Sequence, residues 1–126
     1  MSVNLEQAAA SFTEPWQPHL ITHVNDHDVK IAKILGEFVW HTHPDSDEMF
    51  LVVSGRMTLQ VRDADGGDVD LGPGDVHTVP AGVEHCPRAE QETVIVMLEK
   101  QGTVNTGDAG GERTAPVQPL RPAAPA

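Results

Sequence analysis

The sequence predicts an all-β fold, either a sandwich or a barrel of short strands. Segments rich in valine, isoleucine and leucine alternate with turns containing Gly, Pro, Asn or Asp about every eight to twelve residues, the pattern of such folds. Helix-forming stretches are nearly absent after residue 18. The chain has 126 residues, 39% of them hydrophobic, which is enough for one domain with a core and too short for two.

The N-terminal segment, residues 1–18, is expected to contain one short helix. Asn4 is followed three residues later by Gln7, which is the pattern of a capping box. A helix is therefore predicted over roughly residues 5–12. Pro15 and Pro18 end it, and the barrel is expected over residues 19–101.

Nine strands are predicted in the barrel, each bounded by turn residues. They cover residues 20–24, 29–35, 37–43, 48–53, 57–62, 69–71, 76–79, 85–89 and 93–99. The composition changes after residue 101, where Gly, Thr, Ala and Pro dominate. Residues 102–126 are therefore predicted to be a C-terminal tail, with about the last ten residues disordered because they cannot bury enough apolar surface.

Charge, cysteine content and the N-terminal residues limit the expected partners, disulfides and location of the chain. The formal net charge is −11, from 19 acidic and 8 basic residues, so the surface repels phosphate backbones and anionic lipids. We expect no nucleic-acid partner and no membrane partner. Cys86 is the only cysteine, so no internal disulfide is possible. The first fifteen residues lack the features of a signal peptide, and a cytoplasmic location is expected.

A small set of histidine and glutamate residues carries the chemistry. Side chains alternate along a strand, so His41 and His43 point to the same face. Glu48 opens the next predicted strand, and His85 follows a later turn. Because the chain has seven histidines, a His-x-His pair also arises by chance, and structural histidines are the alternative interpretation. If the four side chains converge, they form a metal site.

Three neutral imidazoles and one carboxylate suit Fe, Mn, Ni, Co or Zn rather than Ca or Mg. If the coordination is octahedral, four protein ligands leave two positions open for water, oxygen or a chelating substrate. Such openness separates a catalytic metal site from a structural one. The expected cofactor is therefore one divalent transition-metal ion per chain, with its identity left open.

The spacing of these residues resembles the first motif of the cupin superfamily. The motif residues are Gly36, His41, His43, Glu48 and Gly55. Four residues separate His43 from Glu48, and six separate Glu48 from Gly55. The interval between Gly36 and His41 is one residue shorter than is usual in the family.

A second stretch resembles the second cupin motif. Gly74, Pro80, Gly82 and His85 have the family's spacing, with five residues between Gly74 and Pro80 and two between Gly82 and His85. The last position of the motif, often Asn in the family, is Ala89 here. Eighteen residues separate the two motifs, which is within the family's range.

The resemblance covers residues 20–99 and implies a single-domain jelly-roll barrel, or double-stranded β-helix, with the metal inside its mouth. It implies that His41, His43, Glu48 and His85 are the ligands. The run Gly-Thr-Val-Asn-Thr-Gly-Asp at 102–108 is also similar to the ending of small stand-alone cupins. Cupins are commonly dimers, so the resemblance also favours a homodimer.

Further residues are weaker candidates for the site. His77 and Glu37 are candidates for catalytic roles beside the metal, with an exposed strand histidine as the alternative for His77. Phe50 shares the ligand-bearing face of its predicted strand and is a candidate for contacting the substrate. Arg56 and Arg88 are candidate anchors for an acidic substrate, with surface solubility as the alternative.

The opposite face of the same strands is also apolar. Trp40, Met49, Leu51 and Val53 fall on it by strand alternation. Either a partner subunit or the N-terminal segment is expected to cover this face, which is a second reason to predict a homodimer. Cys86 lies on the face opposite His85 and is expected to be a buried, inert thiol.

Two classes of function follow. The first is a metalloenzyme that acts on a small organic molecule, with oxygenase, isomerase and cyclase chemistry all open because the fold does not select among them. The second is a non-catalytic module that binds or senses a small molecule. A polar residue besides the ligands in the barrel mouth favours turnover, whereas a binding module needs only a shaped apolar cup.

Overall fold

One helix and eight strands are present in the computed structural model, which describes residues 2–62 and 67–120. In chain order they are α1 (Leu5–Ala10), β1 (His19–Val24), β2 (His27–Glu37), β3 (Glu48–Ser54), β4 (Met57–Val61), β5 (Val69–Leu71), β6 (Val76–Val79), β7 (His85–Lys100) and β8 (Gln118–Pro119). Among the described residues, no helix is long and apolar enough to cross a membrane.

Strand β7 is central to the sheet because it pairs with three other strands. It runs antiparallel to β2 from His27↔Lys100 to Glu37↔Arg88. Its first part also pairs with β4, and its second part pairs with β3, both antiparallel. The remaining pairs are β4 with β5, β3 with β6, β1 with β2, and β1 with β8. The result is the predicted all-β jelly-roll barrel.

The structure differs from the predicted strands at two places beside the site. Residues 38–43 do not form the predicted strand, because β2 passes through Gly36 (φ +81°) as a bulge and ends at Glu37. In that segment only His41 pairs with another strand, through an isolated bridge to His85. The two strands predicted over 85–89 and 93–99 are one strand, β7, which bends where the register with β2 shifts between Ile34 and Gly36.

The two ends of the chain also differ from the prediction. The helix α1 ends at Ala10 rather than Phe12, while its predicted N-cap is present: the Asn4 side chain accepts a hydrogen bond from the Gln7 N–H. Strand β8 lies in the stretch expected to be disordered, where its backbone pairs with β1 and Leu120 packs on the barrel. Residues 121–126 lie outside the described part of the chain.

The barrel interior forms the main hydrophobic core. Its fully buried members include Ile34, Val52 and Leu59. Trp16 packs into the same core from the segment after α1, with its ring stacked on Phe38 at 4.6 Å and its Nε1–H donating to the Leu35 carbonyl oxygen. The N-terminal segment thus covers one side of the barrel interior.

A second apolar cluster covers the outer face of the sheet. Ala8 of α1 packs with the buried residues Ile31, Val94 and Val96. Leu51 and Val53, which the sequence placed on this outer face, join the same cluster. Either a partner subunit or the N-terminal segment was predicted to cover this face. The N-terminal segment covers part of it.

Candidate metal centre

Four side chains converge where β3, β7 and the segment before β3 meet. Glu48 opens β3, His85 opens β7, and the bridge to His85 fixes His41, with backbone N–H to O distances of 3.0 Å in both directions. His43 follows two residues later, and its carbonyl oxygen accepts a hydrogen bond from the Gly82 N–H. One ligand atom of each residue lies within 4.8 Å of the others, and all four residues are buried.

The backbone orients two of the imidazole rings. His41 Nδ1 lies 2.8 Å from the Val39 carbonyl oxygen, and His85 Nδ1 lies 2.9 Å from the Val83 carbonyl oxygen. A carbonyl oxygen only accepts, so Nδ1 carries the hydrogen in both rings. Nε2 then carries the free lone pair. Metal-binding histidines are commonly held in this way, with the second ring nitrogen bonded to a backbone carbonyl.

The arrangement of the donor atoms suits a cation at their centre. Oε1 of Glu48 lies 3.0 Å from His85 Nε2 and 3.2 Å from His43 Nε2. His85 Nε2 carries a lone pair, so it faces the carboxylate lone pair without a hydrogen between them unless a proton is added. His43 Nε2 is buried, and at 3.2 Å its geometry toward Glu48 makes no hydrogen bond. The residues present therefore fit a divalent metal ion, which would be shared by all four.

Burial and neighbours keep two of the four groups in the form that binds metal. Burial, with His85 close by, lowers the pKa of His41 to about 4, so its imidazole is neutral near pH 7. Burial alone raises the pKa of Glu48, but the adjacent His43 and His85 outweigh it and hold that pKa below its ordinary range. Neutral imidazole and ionised carboxylate are the forms that coordinate metals.

A cavity opens beside the cluster. Its volume is about 40 Å³, which is room for a few water-sized groups or one small ligand group. His41 and Glu48 lie in its wall. The other lining residues are Trp16, Pro18, Lys30, Ala32, Ile34, Phe38, Phe50, Pro87, Ile95, Met97, Glu99 and Asn105. The walls are mainly apolar, and only a few polar groups project into the cavity.

A buried contact between Lys30 and Glu99 lies in the cavity wall. Lys30 Nζ donates to Glu99 Oε1 at 3.4 Å and to the Thr103 carbonyl oxygen at 3.2 Å. Both side chains are 2% exposed. Burial, together with the charge of Glu48, raises the pKa of Glu99 to about 9. Glu99 is therefore protonated near neutral pH and adds no negative charge beside the cluster.

The weaker candidates fall in different places. Phe50 is buried in the cavity wall, with its ring centroid 6.0 Å from that of His85. Glu37, Arg56 and Arg88 are exposed and line a separate open groove. His77 is half-buried opposite Phe50 in the β3–β6 pair and is not among the residues lining the cavity.

Cys86 is buried, as the sequence predicted, with 0% exposure. Burial, reinforced by the charge of Glu37, raises the pKa of its thiol to about 11. The thiolate is the reactive form of cysteine, so this residue is suited to packing and not to redox chemistry.

Sequence reasoning missed several residues of the cavity. Lys30 lies on the same strand face as Ala32 and Ile34, and Glu99 lies on the same face as Ile95 and Met97. A charged residue in register with core residues is a signal that could have identified both. Trp16 and Asn105 lie outside the barrel strands, and strand alternation gives no signal for them.

Comparisons with known proteins agree with this geometry. A family model described as a cupin domain matches residues 29–99, which include all four clustered residues. The chain is 35% identical over 96 residues to the uncharacterized protein YdbB of Bacillus subtilis (strain 168), covering 76% of this chain and 83% of YdbB.

Two solved structures are similar in both sequence and fold. A cupin-2 domain containing protein from Shewanella frigidimarina is 36% identical with a TM-score of 0.74, covering 79% of this chain and 94% of that chain. A protein from Neisseria meningitidis is 35% identical with a TM-score of 0.71, covering 80% of this chain and 100% of that chain. With both motifs, the barrel and these matches in agreement, the chain belongs to the cupin superfamily.

Proposed function

We propose that this chain is a metal-dependent cupin that acts on a small organic molecule. One divalent transition-metal ion, Fe, Mn, Ni, Co or Zn, would be held by His41, His43, Glu48 and His85. The observation that carries the proposal is the convergence of His43 Nε2 and His85 Nε2 on Glu48 Oε1 at 3.2 Å and 3.0 Å, with all three side chains buried. A shared cation would give each of these atoms a partner.

The cavity supports the second half of the proposal. Phe50 and the other apolar walls suit the apolar part of a small ligand, and His41 and Glu48 also line the cavity. A bound metal ion would act as a Lewis acid toward an oxygen atom of such a ligand. The chain's own contribution is to orient the ligand against apolar walls and to exclude water from the reacting end.

Polar groups besides the ligands favour an enzyme over a binding module. Lys30, Glu99 and Asn105 all line the cavity. Lys30 can place a positive charge near a developing anion, and Glu99 can donate its proton. Oxygenase, isomerase and cyclase reactions all fit such a site, and a non-catalytic binding or sensing role is the alternative. Conversion of a bound ligand by the metal-loaded chain separates the two.

An experiment on the open metal positions tests the proposal. The chain is loaded with Mn²⁺, and water-proton relaxation is measured before and after addition of acetylacetone, a small ligand that chelates through two oxygens. We expect exchangeable water on the bound Mn²⁺ and its displacement by acetylacetone. Bound Mn²⁺ without exchangeable water would identify a closed structural site and contradict the proposal.

A pair of variants tests whether the ligand occupies the cavity. Met97→Trp fills part of the cavity, because Met97 is in its wall. Leu98→Trp is the matched control, since Leu98 is equally half-buried but points to the opposite strand face. Met97→Trp is expected to weaken acetylacetone binding and to leave Mn²⁺ binding intact. Equal effects of the two variants on acetylacetone would place the ligand elsewhere.

We further propose that the chain is cytoplasmic and forms a homodimer. Helix α1 covers part of the outer face, but the strands leave Val24, Leu35 and Val76 46–57% exposed. Light scattering at micromolar concentration tests the dimer, and a mass equal to one chain would contradict it.

A further inference from the structure

The C-terminal segment beyond the barrel makes direct contact with residues 38–43, which carry His41 and His43 and which we call the ligand loop. Thr42 lies between the two histidines of the cluster, and both of its backbone polar groups are bonded to Asp108. The Thr42 N–H donates to Asp108 Oδ1 at 2.8 Å, and the Asp108 N–H donates to the Thr42 carbonyl oxygen at 3.2 Å. These two bonds fix the peptide units that precede and follow Thr42.

Gly107 lies against the same loop. A Cβ added at this residue would overlap the Thr42 carbonyl oxygen, lie 2.9 Å from the Thr42 carbonyl carbon and lie 3.2 Å from Cδ2 of the His41 ring. The backbone of Gly107 also has a φ of +53°. Only glycine permits both this conformation and this close approach.

Residues 105–108 are held in place independently of the ligand loop. Asn105 accepts a hydrogen bond from the Ala115 N–H at 3.0 Å and donates to the Arg113 carbonyl oxygen at 2.8 Å. Thr106 is fully buried, and its hydroxyl lies 2.6 Å from that of Thr114. The segment is therefore a fixed support, which we call the clamp (residues 105–108).

The ligand loop has few other supports. Residues 38–43 belong to no strand. Besides the bonds to Asp108, their backbone is held by the bond from the Phe38 N–H to the Pro87 carbonyl oxygen, the His41–His85 bridge and the bond from Gly82 to His43. Small displacements of ligands weaken metal sites, and groups that orient the ligands are often as important as the ligands.

We propose that the clamp positions His41 and His43 for metal binding through Asp108 and Gly107. Both residues lie outside residues 29–99, the part that the cupin family model matches. Asp108 and Gly107 are positioning residues, since each acts on the loop backbone and not on the metal. The inference rests on the proposed metal site and adds a part of the chain on which that site depends.

The experiment compares Asp108→Ala with Asp108→Asn. Alanine removes the acceptor of the Thr42 N–H, whereas asparagine retains an oxygen at that position. Co²⁺ affinity is measured by competition with a chelating dye, and the visible d–d spectrum of bound Co²⁺ reports the ligand geometry. We expect Asp108→Ala to bind Co²⁺ about 10- to 100-fold more weakly with an altered spectrum. Asp108→Asn is expected to stay within about twofold of the wild type with an unchanged spectrum.

A glycine pair gives an independent test of the same contact. Gly107→Ala introduces the overlap with Thr42. Gly110→Ala is the control: it also places an alanine at a positive φ (+63°), but nothing lies within 4 Å of the new Cβ. Gly107→Ala is expected to weaken Co²⁺ binding about tenfold or more, and Gly110→Ala is expected not to. Far-UV circular dichroism shows whether each variant is folded.

Two results overturn the inference, and they are distinguishable. If the folded Asp108→Ala and Gly107→Ala variants bind Co²⁺ with the affinity and spectrum of the wild type, the clamp has no role and the metal site stands. If the wild-type chain binds no Co²⁺, the proposed function and the inference that rests on it both fail.

Discussion

Replacing the motif glycine Gly55 by alanine should destabilise the barrel far more than the same change at Gly74. Both glycines have a φ of +86°. A Cβ at Gly55 would lie 2.5 Å from Thr93 Oγ1, 2.9 Å from Thr93 Cα and 3.0 Å from the Glu92 carbonyl oxygen. A Cβ at Gly74 would meet nothing within 4 Å. Comparing the two variants therefore separates the stability lost to backbone strain from the stability lost to close packing.

The magnitude follows from these two contributions. The left-handed conformation costs alanine about 1–2 kcal/mol, of which the stiffer unfolded chain offsets about 0.4–1 kcal/mol. Gly74→Ala should therefore lose about 1 kcal/mol. Gly55→Ala adds an overlap with the backbone of β7, and overpacking typically costs about 1–3 kcal/mol. It also disturbs buried Thr93, whose hydroxyl bonds both backbone groups of Arg56.

Equilibrium urea unfolding of both variants and the wild type, all free of metal, measures the difference. We expect Gly55→Ala to lose about 2–4 kcal/mol more than Gly74→Ala, with unchanged m-values. If the two variants lose the same stability to within about 0.5 kcal/mol, close packing at Gly55 has no effect, and its positive φ alone explains the need for glycine there.

Two buried titratable groups, the carboxyl of Glu99 and the thiol of Cys86, give further predictions. The pKa of Glu99 is 4.5 in the reference state and about 9 in the fold, so the native state keeps a proton that the unfolded chain loses, and stability falls as pH rises through this window. Metal-free Glu99→Gln should lack this decline when urea midpoints at about pH 5.5 and pH 8.5 are compared; an equal decline in both proteins would contradict the raised pKa. Cys86 should resist iodoacetamide at about pH 8 in the native protein and react fully in urea, because its thiol is buried with a pKa near 11. Labelling of the native protein at the rate of a free thiol, followed by mass spectrometry, would contradict its burial.

Much of the fold could be predicted because turn residues and strand periodicity are local properties. Gly72-Pro73-Gly74 and Pro80-Ala81-Gly82 mark turns wherever the strands lie, and β5 and β6 begin and end where the sequence predicted. The four residues of the candidate site were also identified by their spacing, and the structure brings them together.

The features that were predicted wrongly or missed depend on contacts between residues that are distant in sequence. Residues 38–43 have the composition of a strand, but only the bridge at His41 and one bond from the Phe38 N–H to Pro87 join them to β7. Glu37, a predicted candidate beside the metal, lines a separate groove instead. Side-chain alternation does not relate it to His41, because β2 ends at Glu37. The pair Lys30–Glu99 spans 69 positions, and the bond from Thr42 to Asp108 spans 66. No local pattern predicts such pairs.

Binding of one transition-metal ion by His41, His43, Glu48 and His85 can be measured by elemental analysis. The protein is untagged, purified without chelators and under low oxygen, and then supplied with Fe, Mn, Ni, Co or Zn. We expect one ion per chain in the wild type and in the control His23→Ala, which changes an exposed histidine of β1. Folded His43→Ala is expected to lose most of the metal. A wild type that takes up none of these metals, or a His43→Ala variant with wild-type metal content, would contradict binding at these four residues.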